Sequence, residues 1–196
     1  MVSSPIDGDL AVEKIFLDFL GSRTTFDDCC RLSKLVDGLD SQGLLAADRL
    51  AIWIYTSHFS NWYAQINREL WGGAPSIAVS NFARILDSAL RKLPLYSGVT
   101  FRGYDVSSSD LSKYDPPGKV IIWLGFTSST TDEDQIYPGN TLFTIHSQNG
   151  RVVGDYADDT SEREVTFTQG TKFHVLGFER RGAKLVIEIE EVADAK

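Results

Sequence analysis

Cysteine and histidine are scarce in this chain of 196 residues, which contains only two cysteines and three histidines. Cys29 and Cys30 are adjacent, and adjacent cysteines form a disulfide only with strain. A framework of bridges is therefore excluded, and a reducing compartment is the better expectation. His58, His146 and His174 lack the spacing of metal ligands, so we expect no metal site.

An excess of basic charge is lacking as well. The chain has 19 Lys and Arg residues against 27 Asp and Glu residues, which gives a net charge of −8. This balance argues against a nucleic-acid partner, because binding to a phosphate backbone needs a basic patch. It suits a basic peptide as substrate, because an acidic surface raises the local concentration of arginine-rich segments.

Long apolar runs are the third thing the sequence lacks. No apolar stretch approaches the roughly 20 residues that crossing a bilayer requires. Residues 1–9 are polar and do not resemble an export signal. We therefore expect no membrane partner, no signal peptide and a cytoplasmic location.

The order of the predicted elements indicates the fold class. Helical patterns come first and strand patterns afterwards, which predicts an α+β fold rather than alternating βαβ units. The length suits one domain, and the change of pattern near Pro94 divides it into a helical lobe, 1–94, and a β-rich core, 95–196. Hydrophobic periodicity predicts helices over 10–20, 27–39, 48–71 and 79–93, and strands over 98–103, 119–127, 141–146, 151–154, 163–167, 172–178 and 184–192.

Two acidic residues stand one position apart in Ser161-Glu162-Arg163-Glu164. Because side chains i and i+2 of a strand share a face, Glu162 and Glu164 are predicted to lie side by side. Such a pair needs a compensating positive charge, from a basic residue or a cationic substrate. On this tetrapeptide alone, the solvated edge of a strand is the better interpretation.

Two upstream segments end in polar residues of a different kind. The run 98–104 contains Arg102 followed by Gly103, and a glycine there lets a ligand or another backbone come close. The apolar run 120–126 leads directly into the hydroxyl cluster 127–131. By themselves, Arg102 could form a structural salt bridge and the cluster could be ordinary turn chemistry.

An arginine, a hydroxyl cluster and a Glu-x-Glu pair in this order resemble the Arg–Ser–Glu signature of the mono-ADP-ribosyltransferases, which move ADP-ribose from NAD onto proteins. The family usually carries Tyr-x-x-x-Asn-x-x-Leu in its helical part, and the segment 63–70 of this chain has that pattern. The usual Ser-Thr-Ser appears here as Ser128-Ser129-Thr130, with a hydroxyl at each position. The resemblance implies one catalytic domain over 1–196, with the helical lobe packed on a mixed β-sandwich around an NAD cleft.

The resemblance also implies roles toward NAD, the co-substrate. Glu164 matches the catalytic glutamate that stabilises the developing ribose cation, and Ser128 matches the hydroxyl that orients it. Arg102 matches the phosphate anchor, because a guanidinium fork fits phosphate oxygens. Further NAD contacts are implied for the remaining matched positions, Tyr63, Asn67, Gly103 and Tyr137.

The acceptor follows from the first acid of the pair. In the family, Glu at the position of Glu162 goes with modification of arginine, and a carboxylate there holds the guanidinium and assists removal of its proton. The acidic loop before it contains one aromatic residue, Tyr156, which suits a cationic acceptor through cation–π contact. The single residues Asp158 and Asp159 are better interpreted as parts of a solvated turn.

The resemblance therefore implies a monomeric, metal-free arginine-specific transferase that uses NAD and modifies a protein with an exposed arginine. It is toxin-like, so action as an effector in a host cytosol is the alternative to a cytoplasmic role. Two other functions stay open at this point. One is an NAD glycohydrolase on the same scaffold, in which water replaces the acceptor. The other is a binding module that has lost turnover, although intact Arg102, Ser128 and Glu164 count against it.

Overall fold

The computed structural model describes residues 6, 9–34, 38–182 and 184–192. These residues form two compact units. The helical unit contains the described residues up to Leu93 together with Asp155–Thr160, and the sheet unit contains Pro94–Gly154 and the described residues from Ser161 onward. The segment Asp155–Thr160 therefore belongs to the helical unit, although sheet residues precede and follow it in sequence.

Helices make up most of the first unit. Their ends carry the expected signals: Asp9 caps α1 by accepting from the backbone N–H groups of Ala11 and Val12, and Gly21 ends it with a left-handed φ of 72°. Stacked and edge-on aromatic contacts join Phe16 and Phe19 of the first helix to Phe82 of the last. The helices are α1 (Leu10–Leu20), α2 (Arg23–Leu32), α3 (Ala46–Thr56), α4 (Trp62–Trp71) and α5 (Ile77–Lys92).

The sheet unit is built on seven strands in its described residues, with one further short helix, α6 (Ser108–Leu111). The strand order is β1-β3-β5-β4-β7-β6-β2, and β1 also pairs with β4. The sheet is mixed, because β4 and β7 are parallel and the other pairs are antiparallel. The strands are β1 (Leu95–Tyr104), β2 (Val120–Trp123), β3 (Thr127–Thr130), β4 (Thr141–Val152), β5 (Glu164–Phe167), β6 (Thr171–Arg181) and β7 (Lys184–Glu191).

The core of the sheet unit fills one side of these strands. Alternate residues of β4 and β7 face it, as a half-buried strand requires. Aromatic rings pack within this core, and the ring centroids of Phe167 and Phe173 lie 5.3 Å apart in an edge-on contact. The buried members are Val106, Ile121, Phe143, Ile145, Phe167, Phe173, Val175, Ile187 and Ile189. The α+β class with a mixed sheet is thus confirmed.

The predicted helix over 48–71 is wrong in one respect, because two helices, α3 and α4, occupy that range. Helical periodicity continues through the break, but Ser57 adopts an extended conformation with ψ of 137°. Its hydroxyl donates to Asp158, 3.3 Å away, and accepts from the backbone N–H of Phe59. A distant carboxylate thus stabilises a break between two helices that local sequence does not indicate.

Two strand boundaries also differ from prediction. The predicted strand 119–127 is divided between β2, which pairs with β6, and β3, which pairs with β5. The hydroxyl cluster is therefore part of a strand rather than the turn after one. The predicted strands 141–146 and 151–154 are one strand, β4, because the buried carboxylate of Glu191 accepts from the backbone N–H groups of Gln148 and Asn149, each at 2.8 Å.

Predicted element ends moved elsewhere too. The second helix runs over Arg23–Leu32 rather than 27–39, and residues 35–37 of that prediction lie outside the described residues. Ser22 caps it by accepting from the backbone N–H of Thr25. Both cysteines of this helix are buried free thiols, and burial raises the pKa of each to about 12.

Candidate functional site

Glu164 is the first residue of β5 and is only 6% exposed. Thr166, two residues further along the strand, donates a hydrogen bond of 2.7 Å from its hydroxyl to Glu164 Oε1. The hydroxyl of Ser128 on β3 lies close enough to this carboxyl to lower its pKa. Strand register explains the convergence, because Ser128 lies directly opposite Thr166 and Thr130 opposite Glu164. The sheet therefore holds one carboxyl group between two hydroxyls.

The groups around Glu164 have opposing effects on the pKa of its carboxyl. Burial is the largest effect and raises the pKa of the Glu164 carboxyl above its ordinary value, and the negative charge of Glu162 acts in the same direction. The hydroxyls of Ser128 and Thr166 and the guanidinium of Arg102 lower that pKa. A carboxylate held in this way is a strong acceptor for a donor or a developing cation.

Arg102 lies near the end of β1, where a guanidinium nitrogen, Nη1, donates to the main-chain carbonyl of Ser128 at 2.6 Å. The guanidinium also lies over the ring of Tyr104, 5.2 Å from its centroid. These two contacts orient the side chain and connect it to the strand that carries Ser128. Since a guanidinium has five N–H donors, the contact with Ser128 does not exhaust its capacity to bind an anion.

Position 103 must be a glycine because the backbone of Tyr137 passes very close to it. A Cβ atom at this position would meet the carbonyl oxygen of Tyr137 at 1.6 Å, which no side chain could tolerate. The loop 132–140 is fastened on the same side by Asn140, which exchanges hydrogen bonds with the backbone of Val106. Gly103 thus brings Tyr137, whose side chain is 69% exposed, next to the strand of Arg102.

Glu162 does not lie beside Glu164 on a strand face, so that prediction is wrong. Glu162 ends a short 3₁₀ helix, Thr160–Glu162, and Arg163 after it has a left-handed φ of 47°. This conformation turns the chain between the two acids. The main-chain carbonyl of Glu162 accepts from the Thr130 hydroxyl at 2.7 Å, which anchors the turn to β3.

Tyr156 and the aspartates near it are held within the helical unit. The phenol of Tyr156 donates to Asp40 at 2.6 Å, and burial together with this hydrogen bond raises the pKa of Tyr156 to about 12. Asp158 accepts from Ser57 and from the backbone N–H of His58. Asp158 is exposed, as the expected solvated turn requires, and its carboxylate also binds the chain just after α3.

Tyr63 and Asn67 lie on α4 rather than on a long third helix. Tyr63 is 44% exposed, whereas Asn67 is buried and its amide nitrogen donates to the hydroxyl of Tyr55 at 3.3 Å. The amide oxygen of Asn67 is buried without a hydrogen-bond partner. The pair thus offers one exposed ring and one unused buried acceptor, and its predicted contact with NAD stays a prediction.

Thr166 is the residue of this site that the sequence reasoning missed. It is fully buried and makes the shortest described contact to the carboxyl of Glu164. A signal for it was present, because Thr166 stands two residues after Glu164 in a predicted strand and must share its face. Asp40 was missed for a different reason, because 116 residues separate it from Tyr156.

The described residues contain no group of three or more His, Cys, Asp or Glu side chains arranged to bind a metal ion. None of the described helices combines the length and apolar character that are needed to cross a membrane.

The sequence profile of the family NAD:arginine ADP-ribosyltransferase (ART) matches residues 36–196. The chain belongs to this family. This match confirms the family resemblance inferred from the four motifs. The matched range includes both the helix with Tyr63 and the pair of glutamates.

Two relatives carry the family's name. Mav of Mycobacterium avium (strain 104), named as an NAD(+)–arginine ADP-ribosyltransferase, is 38% identical over 120 residues, which are 58% of this chain and 14% of Mav. Vis of Vibrio splendidus (strain 12B01), with the same family name, is 30% identical over 135 residues, which are 62% of this chain and 53% of Vis. The chain therefore spans about one-seventh of the length of Mav and about half of the length of Vis.

A solved structure shows the same fold. The crystal structure of the type III effector XopAI from Xanthomonas axonopodis pv. citri superimposes with a TM-score of 0.76 at 17% identity, covering 96% of this chain and 90% of that one. The arrangement of helices followed by a mixed sheet is thus shared with this effector.

Proposed function

We propose that this chain transfers ADP-ribose from NAD to arginine side chains of a protein and releases nicotinamide. The observation that carries the proposal is the buried carboxyl of Glu164, bound by Thr166 at 2.7 Å, with Ser128 and Arg102 close enough to lower its pKa. A member of this family needs a fixed negative charge beside the ribose, and Glu164 supplies one on a rigid strand.

On the donor side, Glu164 accepts a hydrogen bond from the ribose 2′-hydroxyl and stabilises positive charge as the bond to nicotinamide breaks. Arg102 binds the diphosphate through the donors that its contact with Ser128 leaves over. The fit of these residues to NAD rests on their charge: one buried carboxylate and one oriented guanidinium in the same unit.

Four further residues complete the proposed NAD contacts. Gly103 and Tyr137 act together, because the close backbone approach presents the exposed Tyr137 ring to nicotinamide. On α4, we assign Tyr63, through its exposed ring, and Asn67 to the adenosine-diphosphate half.

On the acceptor side, Glu162 binds the guanidinium of the target arginine and takes the proton that is lost when a guanidinium nitrogen bonds to the anomeric carbon. The hydrogen bond from Thr130 holds the main chain of Glu162 while its side chain stays half-buried. The ring of Tyr156 contacts the protein around that arginine, and its hydroxyl keeps the loop attached to Asp40.

The biological setting is part of the same proposal. We infer that the chain acts as a monomer on a protein target in the cytosol of a host cell. The support is the fold shared with XopAI, a type III effector, and the net charge of −8, which favours basic segments as targets.

A direct assay tests the proposal. The purified chain is incubated with labelled NAD and agmatine, a small arginine analogue, and both ADP-ribosyl-agmatine and free ADP-ribose are followed. Transfer to agmatine is expected, and Ser128→Ala should reduce it while a surface serine variant, Ser109→Ala, should not. Free ADP-ribose as the only product would identify a glycohydrolase, and no product at all would indicate a binding module.

A further inference from the structure

Thr166 has the geometry of a residue that acts through Glu164. Its hydroxyl carries one proton and donates it in a hydrogen bond to Glu164 Oε1, with 2.7 Å between the two oxygens. The spacing of two residues along β5 places both side chains on one face. Thr166 is fully buried, so water does not compete for this hydrogen bond.

The backbone of Thr166 is held on both sides. It pairs with Ser128 on β3 and with Arg151 on β4, which places it inside the sheet rather than at an edge. A threonine in a strand also has restricted freedom about χ1, because its Cβ carries two heavy atoms. The hydroxyl is therefore pre-positioned, and Glu164 adopts the rotamer that meets it.

We propose that Thr166 is a positioning residue for Glu164, whose hydroxyl fixes the carboxylate and favours its ionised form. The inference rests on the proposed function, since positioning matters only if Glu164 acts on NAD. It differs from the role expected for Ser128, because Thr166 lies on the same strand as Glu164 and donates along it.

The sign of the effect follows from the hydrogen bond. A donor to the charged form lowers a carboxyl pKa, so removal of the Thr166 hydroxyl should raise the pKa of Glu164 beyond its burial-raised value. The other charged groups that act on the carboxyl are Glu162 on the preceding turn and Arg102 on β1, and Arg151 lies opposite Thr166 on β4. None of them is altered by a change at Thr166.

Activity should follow the same direction. Glu164 must be ionised to act, so activity is lost as the pH falls through the pKa of Glu164. Because that pKa is raised in the fold, the loss occurs above the pH at which an ordinary glutamate protonates. Without the Thr166 hydroxyl, the acid limb of kcat/KM should move to still higher pH.

The decisive experiment measures the carboxyl directly in the protein without NAD. Carbon-13 NMR of labelled glutamate side chains gives a titration for Glu164, assigned by its absence in Glu164→Gln. Thr166→Val should move the midpoint up by about one to two pH units, as expected for loss of one hydrogen bond to a charged group. Thr166→Ser, which retains the hydroxyl, should stay close to the wild-type midpoint.

Thr100→Val is the matched control. Thr100 is a fully buried threonine of the sheet unit, on β1, and its hydroxyl has no hydrogen-bond partner. The same loss of a hydroxyl there should leave the Glu164 midpoint unchanged. If Thr166→Val does not fold, Thr166→Ala removes the same donor with a smaller side chain and is scored in its place.

An unchanged midpoint in Thr166→Val, or an equal shift in Thr166→Ser, would overturn the inference. The pH profile of NAD hydrolysis gives the second readout, with the acid limb expected to move with the NMR midpoint. If the wild-type chain does not turn over NAD, the proposed function fails, while the NMR midpoints still decide whether Thr166 controls the carboxyl.

Discussion

Strand β5 and the 3₁₀ helix just before it hold their acids in opposite ways. Glu164 on β5 is buried and bound by the hydroxyl of Thr166, so its side chain is fixed. Glu162 is anchored through its main-chain carbonyl, and its side chain is half-buried. A residue that stabilises charge on a small, constant substrate gains from a rigid site. A residue that meets a protein acceptor is instead placed by the turn that carries it, outside the strand.

The largest expected effect is that of Glu164→Gln. It removes the charge and keeps the volume, so both transfer to agmatine and NAD hydrolysis should fall by about 100-fold or more. Labelled-NAD assays measure both rates. A residual rate above a tenth of wild type, which corresponds to only about 1.4 kcal/mol of barrier, would contradict the role of Glu164.

Thermal unfolding is the control for that variant. The raised pKa means that the ionised carboxylate costs free energy in the fold at pH values above it. Glutamine removes this cost, so Glu164→Gln should unfold at the same or a higher temperature than wild type at neutral pH. A large drop in Tm would mean that lost activity reflects unfolding.

Glu162→Gln should separate the two acids. Transfer to agmatine should fall by about 100-fold, the lower range for loss of a general base. Hydrolysis of NAD should be largely kept, because water needs no guanidinium-binding carboxylate. Parallel measurement of both products checks this, and equal losses would show that Glu162 acts on the donor, as Glu164 does.

Arg102→Lys tests whether the guanidinium geometry matters beyond its charge. Lysine cannot both donate to the Ser128 carbonyl and present a fork, so NAD affinity should fall about tenfold, or about 1.4 kcal/mol. Calorimetry measures the affinity, and Arg181→Lys, at an arginine paired with Glu179 on the exposed part of β6, is the matched control. Unchanged binding in Arg102→Lys would make Arg102 structural.

Tyr156→Ala should have the smallest effect. Loss of one exposed cation–π contact should weaken modification of a protein target about fivefold. Modification of agmatine should change little, because a small acceptor does not reach this loop. Tyr156→Phe is the matched control, since it keeps the ring and loses the hydrogen bond to Asp40. Equal loss with Phe and Ala would assign the role to loop anchoring instead of the ring.

Much of this site was accessible from the sequence because its residues match the motifs of the family in their order, although they stand far apart in the chain. Arg102, Ser128 and Glu164 each stand in or beside a β-rich run, and register brings Ser128 within reach of Glu164. Thr166 could also have been predicted from strand periodicity, because it stands two residues after Glu164. The helix with Tyr63 and Asn67 was indicated by hydrophobic spacing, although its start at Trp62 was not.

The sequence by itself determined the α+β class, the family and the order of the motifs, because these depend on periodicity and residue identity along the chain. Only the tertiary structure decided that Glu162 leaves the strand, that Asp158 binds the chain just after α3 and that Tyr156 is bound to Asp40. Each of these depends on a hydrogen bond between segments far apart in sequence or on a left-handed residue other than glycine. Local propensity indicates neither, since such contacts gain their free energy only when the chain has folded.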